Sequence, residues 1–170
     1  CACLRQLTFY GIQVGDTGLM CENIQKSMEI AKENRLGIDY AIECRLYGLY
    51  LLMCGRYDES REQLNQAINR FESASLDAQN YVLNLAACYN YLGEVERKQQ
   101  NFERSLEYYD RALEICSDRK YPKNPTFYSN QARALLALGK KEQAADRFFT
   151  SNKLYDASNI LVGRGITKSY

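Results

Sequence analysis

The hydrophobic and polar residues of this chain follow one another with the period of an α-helix. Cys44, Tyr47, Gly48 and Leu51 occupy positions i, i+3, i+4 and i+7, which together form one face of a helix. Related stripes recur along the chain, and only two prolines interrupt it. The pattern predicts an all-α fold with eight helices, at about residues 1–14, 17–34, 38–54, 57–73, 76–99, 102–116, 125–138 and 141–158.

A turn follows the first, third, fifth and seventh of these helices, and its position recurs regularly. The turn residues Gly15, Gly55, Gln100 and Gly139 are separated by 40, 45 and 39 residues. After each turn, one bulky and one small residue keep these intervals: Ile24, Leu64, Tyr109 and Phe148 are bulky, and Ser27, Ala67, Ala112 and Ser151 are small. Such self-similarity predicts four helical hairpins, each of which must stack on a neighbour to bury its apolar surface.

The hairpin pattern resembles the tetratricopeptide repeat (TPR), which carries a large residue and Leu-Gly in its first helix and a small–aromatic–small series in its second. Residues 86–119 read Y-x2-LG and then Y-x2-AL, and residues 41–74 read C-x2-YG and then L-x2-AI. Two degenerate units cover residues 1–34 and 125–158, and residues 159–170 form a tail or the start of a further helix. The resemblance implies a right-handed α-solenoid of four hairpins.

The intervals between hairpins exceed the 34 residues that are standard for the family, and the surplus lies at 35–40, 75–85 and 120–124. Ala78, Val82 and Leu85 continue a helical stripe, so we expect the middle surplus to lengthen a helix. Long periods are similar to those of TPR domains in bacterial peptide-sensing and ATP-dependent transcription regulators and in kinesin light chains.

Three residues depart from the family pattern. Glu96 stands at an aromatic site, Gln131 replaces the leucine, and Asn152 stands at an apolar site. The last two weaken the resemblance of the final repeat.

The composition argues against catalysis. The chain has no histidine, which removes the commonest general base, the Ser-His and Cys-His pairs and most catalytic zinc sites. We therefore expect no enzyme, no cofactor and no metal site. Seven cysteines without a C-x-x-C motif are typical of reduced thiols packed as small apolar residues in a cytoplasmic protein.

Charge and hydropathy argue against two classes of partner. The formal net charge is +1, and the aromatic residues lack the basic track that single-stranded nucleic acids require, so nucleic acid is not favoured. The longest uncharged apolar run, residues 46–55, is far shorter than the roughly 20 residues of a membrane span.

In TPR solenoids the concave groove is lined by first-helix residues that face away from the motif stripe. The matching positions here include one arginine per hairpin, and arginine binds carboxylates through two parallel hydrogen bonds. The resemblance therefore implies a protein–protein interaction module that binds a peptide or helix, partly acidic, in this groove. The candidate groove residues are Arg5, Phe9, Ile42, Arg45, Leu49, Leu52, Asn90, Glu94, Arg97 and Arg133. Alternatively, these arginines cover solvent-facing surface and the apolar residues meet an adjacent domain.

The biological setting is an expectation from the same resemblance. We expect the chain to be part of a larger cytoplasmic regulatory or signalling protein with flanking domains. The alternative is a ligand- or peptide-sensing domain of a transcription regulator. The residues that hold the C-terminal carboxylate of heat-shock proteins in related co-chaperones are not matched in either register of three repeats, so that partner is not expected.

Overall fold

The computed structural model describes residues 1–73, 79–118 and 124–157, and this part of the chain is helical with short connections and no strands. The all-α prediction is confirmed, and the predicted helix ends that fall on described residues agree with the observed ones to within two residues. The helices are α1 (Ala2–Val14), α2 (Thr17–Glu33), α3 (Gly37–Met53), α4 (Tyr57–Ser73), α5 (Gln79–Lys98), α6 (Phe102–Asp118), α7 (Pro125–Ala137) and α8 (Lys141–Ala157).

Two predictions fall partly or wholly outside the described residues. The middle surplus is helical from Gln79 onward, as expected, while residues 75–78 lie outside the described part. The tail at 159–170 also lies outside it. None of the eight helices has the length and hydropathy needed to cross a membrane.

The helices pack as four successive hairpins. Helix α1 packs on α2, α3 on α4, α5 on α6 and α7 on α8. The second helix of each hairpin contacts the first helix of the next. The first helices of neighbouring hairpins also contact each other, α3 with α5 and α5 with α7. The odd-numbered helices therefore form one layer and the even-numbered helices the other, which is the predicted α-solenoid.

All four hairpin turns have the same backbone geometry. At Gly55, the turn residue donates to the carbonyl of Leu52 and the next residue, Arg56, donates to that of Leu51. The same two hydrogen bonds close the turns at Gly15, Gln100 and Gly139, and the turn residues have φ between 65° and 76°. This left-handed helix ending satisfies carbonyls that have no partner within the helix, and it confirms the predicted turn positions.

Gln100 is the one turn residue of the four that is not glycine, and its side chain strains the left-handed conformation. We expect Gln100→Gly to raise the free energy of unfolding by about 1 kcal/mol, measured by urea denaturation. The reverse change at the equivalent turn, Gly55→Gln, should lower it by a similar amount. Equal stability of both variants and the parent would contradict the shared turn geometry.

Close helix contacts within hairpins occur where the repeat pattern predicts them. A Cβ atom built on Gly48 would lie 2.7 Å from Leu64 Cγ, and one on Gly93 would lie 2.4 Å from Tyr109 Cε1. The bulky residue after each of these turns therefore fills the space that the glycine leaves open. This agreement fixes the register of the second and third hairpins.

The apolar core continues from hairpin to hairpin. Ile68 and Phe71 of α4 belong to the same buried cluster as Cys88, Leu92 and Val95 of α5. The expected packing of cysteines as small apolar residues is confirmed for Cys44, Cys88 and Cys116, whereas Cys3 and Cys54 are exposed.

Glu96 departs from the family pattern because it takes part in an ion pair between hairpins. Its side chain is 1% exposed. Its Oε1 accepts hydrogen bonds from Arg61 Nε at 3.3 Å and Nη2 at 3.1 Å, and its Oε2 accepts one from Asn101 at 2.8 Å. Arg61 belongs to α4, so this carboxylate links the second hairpin to the third. Asn152, the departure in α8, is exposed and leaves no buried polar group.

Candidate functional site

The predicted groove residues lie on the odd-numbered helices, and we call the surface formed by these positions of α1, α3, α5 and α7 the odd-helix face. On α3, Arg45, Leu49 and Leu52 lie at i, i+4 and i+7, and Ile42 precedes them by one turn. Leu49, Leu52 and Ile42 are half-buried, and Phe9 of α1 is 42% exposed. The first two hairpins thus contribute the apolar part of this face.

Arg5 lies in an ion-pair cluster between the first two hairpins. Its Nε donates to Glu43 Oε1 at 2.6 Å, and its Nη2 pairs with Asp39. Burial disfavours the charged form, but the hydrogen bonds to Asp39 and Glu43 outweigh it and raise the pKa of Arg5. This guanidinium therefore fastens α1 to α3.

Arg97 is neutralised within its own helix. Its Nε and Nη2 donate to the two carboxylate oxygens of Glu94, at 2.9 and 2.7 Å. Tyr109 donates a further hydrogen bond to Glu94 Oε1 at 2.5 Å. Burial alone would raise the pKa of Glu94, but the hydrogen bonds from Arg97 and Tyr109 hold it below its usual value.

Asn90 joins the third hairpin to the fourth. Its side-chain oxygen accepts a hydrogen bond from Asn130 Nδ2 at 3.0 Å, and both side chains are buried. The amide pair therefore forms a polar contact between α5 and α7 at the base of the odd-helix face.

Arg45 is a buried cation without a counter-charge among the described residues. The residue is 8% exposed, and its Nε is buried and has no acceptor. No carboxylate oxygen of the described residues lies within 4.0 Å of its guanidinium nitrogens. The Cys88 thiol of α5 lies within its electrostatic reach, but burial raises the pKa of Cys88 to about 12, so it is neutral near pH 7. A buried charge without a counter-charge is costly, and a nearby anion would lower that cost.

The four predicted arginines are therefore not equivalent. Arg133 is exposed and forms no ion pair with the described residues. Arg5 and Arg97 are paired with carboxylates of this chain, whereas Arg45 and Arg133 form no ion pair within 4.0 Å among the described residues. Arg133 lies within electrostatic reach of the Glu94 carboxylate, which Arg97 binds directly. Sequence spacing placed all four on one layer of helices, but it did not identify the carboxylates that neutralise two of them.

A second polar site lies between α6, α7 and α8 and was not predicted as functional. Gln131 is 4% exposed, and its Nε2 donates to Asp110 Oδ1 at 2.5 Å, while its Oε1 is buried without a donor. Arg147 lies beside them with its guanidinium carbon 5.9 Å from the centroid of the Tyr128 ring. Only the departure of Gln131 from the leucine of the family pattern signalled this site in the sequence.

The described residues contain no group of three or more His, Cys, Asp and Glu side chains arranged to hold a metal ion.

Comparisons with known proteins agree with the repeat architecture. The tetratricopeptide repeat family model matches residues 84–148. Solved structures with the same fold include BtubC (BKLC) from P. vanneervenii, with a TM-score of 0.69 and 16% identity over 91% of this chain and 62% of that one. MamA matches with a TM-score of 0.61 and 17% identity over 92% of this chain and 78% of that one. The apo form of RapI matches with a TM-score of 0.61 and 16% identity over 91% of this chain and 67% of that one.

The class of protein follows from these findings. The molecule is a helical-repeat solenoid, and its residues 84–148 match the tetratricopeptide repeat model, in agreement with the resemblance expected from the sequence. The chain spans 62% of the length of BtubC. No curated protein sequence matches the chain significantly.

Proposed function

We propose that this chain is a protein-interaction module that binds a polypeptide segment, partly acidic, across its odd-helix face. The tetratricopeptide repeats and the solenoid fold support a scaffold for protein–protein interaction in general. The chemistry of the bound segment is proposed from the side chains of α3.

The observation that carries the proposal is Arg45, which is 8% exposed, has a buried Nε without an acceptor and has no carboxylate partner among the described residues. A carboxylate of the partner would supply the missing counter-charge, and it would accept hydrogen bonds from a group that is already largely desolvated. Leu49 and Leu52 flank Arg45 on the same helical face, so apolar side chains next to that carboxylate would bury against them. Exposed Arg133 offers a second positive charge at the other end of the face.

The proposal also concerns the cellular environment of the chain and the kind of protein it belongs to. Buried thiols such as Cys44 and Cys88 suit a reducing, cytoplasmic environment. The long repeat period, similar to that of TPR domains in regulators, supports a role as the interaction module of a larger regulatory protein.

The test is a display screen of peptides that combine Asp or Glu with apolar residues, followed by calorimetry on the tightest binder. We expect Arg45→Met to weaken that binder at least about tenfold, because a hydrogen bond to a charged group contributes about 1.5–3 kcal/mol. Arg56→Met is the matched control, since Arg56 is exposed and pairs with Glu59 away from this face.

Two results would contradict the proposed function. One is a screen in which no acidic–apolar peptide binds. The other is a peptide that binds the Arg45→Met protein as tightly as the parent, while both proteins retain the same helical content.

A further inference from the structure

The seam between the third and fourth hairpins contains an open cavity of about 510 Å³, formed by α6, α7, the α7–α8 turn and α8. Leu106 and Leu135 give it apolar walls. The other lining residues are polar or charged: Asp110, Gln131, Lys140, Glu142, Gln143, Asp146 and Arg147. A second hollow of about 380 Å³ adjoins it and shares Asp110, Gln131 and Arg147 with it. These three residues therefore stand where the two spaces meet.

The cavity arises where the repeat pattern is broken. In the preceding hairpin the equivalent of Gln131 is Leu92, which is buried in an apolar cluster with Ile68 and Phe71 of α4. At the corresponding seam, Gln131 faces Asp110 of α6 instead. A packed apolar contact at one seam is thus a polar hollow at the next.

Gln131 presents a hydrogen-bond acceptor that the described residues leave unused. Its Nε2 is held by Asp110 Oδ1 at 2.5 Å, and this contact fixes the orientation of the amide. Its Oε1 is buried and has no donor among the described residues. A buried acceptor without a partner costs free energy that a ligand with an N–H or O–H group would recover.

Asp110 presents a negative charge beside that acceptor. No cation of the described residues lies within 4.0 Å of its carboxylate oxygens. Desolvation in the seam raises the pKa of Asp110 in spite of the nearby charge of Arg147. Asp110 and Gln131 together favour a ligand group that is positively charged and rich in donors, such as an ammonium.

Arg147 presents the opposite charge in the same lining, within electrostatic reach of Asp110. It is half-buried, and no carboxylate oxygen of the described residues lies within 4.0 Å of its guanidinium nitrogens. Its guanidinium carbon lies 5.9 Å from the centroid of the Tyr128 ring, a cation–π contact that uses none of its N–H donors. A carboxylate of the ligand would accept hydrogen bonds from the Arg147 guanidinium.

We propose that this cavity binds a free α-amino acid with an apolar side chain. The α-ammonium group donates to the Asp110 carboxylate and to Gln131 Oε1, and the α-carboxylate accepts from the Arg147 guanidinium. The side chain packs against Leu106 and Leu135. The volume lies within the range of about 300–1,000 Å³ that is usual for small-molecule sites. This site lies on other residues than the odd-helix face, so it is independent of the proposed function.

The ligand test is calorimetric titration of the full chain with L-leucine, L-isoleucine, L-methionine and L-phenylalanine. We expect saturable binding of at least one of them. N-acetyl-L-leucine lacks the ammonium and L-leucinamide lacks the carboxylate, so each should bind at least about tenfold more weakly than L-leucine. Absence of saturable binding for all four amino acids, or undiminished binding of either derivative, would overturn the proposal.

The variant test uses Gln131→Leu, Asp110→Asn and Arg147→Gln. Gln131→Leu introduces the leucine that stands at the equivalent position, Leu92, of the preceding hairpin, so we expect this variant to fold. We expect its affinity for the amino acid to be at least about tenfold lower than that of the parent. Glu103→Gln, on the exposed surface of α6 outside the cavity, is the control and should bind as the parent does. Equal affinity of the three cavity variants and the parent would overturn the site.

Discussion

Replacing Gly93 by alanine is expected to lower the free energy of unfolding by about 2 kcal/mol. The added Cβ would lie 2.4 Å from Cε1 and 2.6 Å from Cδ1 of Tyr109. The ring cannot withdraw easily, because it is fully buried and its hydroxyl donates to Glu94. Overpacking of this kind costs up to about 3 kcal/mol, and the better helix propensity of alanine returns about 1 kcal/mol.

Urea denaturation of the Gly93→Ala protein measures this effect. Gly37→Ala is the matched control, because Gly37 begins α3 and a Cβ there would meet no atom within 4 Å. The control should be neutral or slightly more stable than the parent. A Gly93→Ala protein as stable as the parent would mean that α5 and α6 do not approach at this point.

Replacing Arg61 by methionine is expected to lower the free energy of unfolding by about 2–3 kcal/mol. The Glu96 side chain is 1% exposed, and the substitution removes the two hydrogen bonds that its carboxylate accepts from the Arg61 guanidinium. A buried charge without its partner is costly. The remaining hydrogen bond from Asn101 and the charge of Arg104, 3.8 Å away, keep the loss below that of a fully isolated ion.

A double-mutant cycle separates this pair from other effects of the substitution. The Arg61→Met, Glu96→Leu double variant should recover most of the lost stability, because the equivalent residues Leu51 and Leu135 are buried and apolar in neighbouring hairpins. Arg56→Met, which removes an exposed pair with Glu59, should change stability by less than about 1 kcal/mol. If Arg61→Met cost no more than Arg56→Met, the ion pair between hairpins would be refuted.

The helix boundaries could be predicted because local residues determine them. Gly15, Gly55 and Gly139 tolerate the left-handed conformation that ends each first helix, and Asn124 caps α7 by accepting from Thr126 N. Gln100 has no such propensity, yet its place in the fixed interval identified it as a turn. Local chemistry and repetition together were sufficient for the fold.

The ion pairing and burial of the groove arginines could not be predicted in the same way. Arg5 meets Asp39 and Glu43, which lie 34 and 38 residues further along the chain. Their contact depends on how the second hairpin is rotated against the first, and a repeat pattern does not fix that rotation. The burial of Arg45 depends on the same packing between hairpins.

The cavity residues were beyond sequence reasoning for a related reason. Asp110, Gln131 and Arg147 belong to three helices, and no short motif joins them. A glutamine in place of a leucine indicated that the final repeat is unusual, but only the packing of α6, α7 and α8 brings the opposite charges to one hollow. Repeats predict where side chains stand along each helix, while the contacts between helices decide which charges remain uncompensated.

Site-specific photo-cross-linking to the tightest acidic–apolar peptide of the display screen tests the central claim most directly. A photoreactive residue is placed at Leu49 or Arg133 on the odd-helix face, and at exposed Asn65 of α4 or Glu107 of α6 on the opposite layer. We predict cross-links to the peptide from Leu49 and Arg133 and none from Asn65 or Glu107. Cross-links from Asn65 and Glu107 alone would contradict the account, because the partner would then lie on the even-numbered helices.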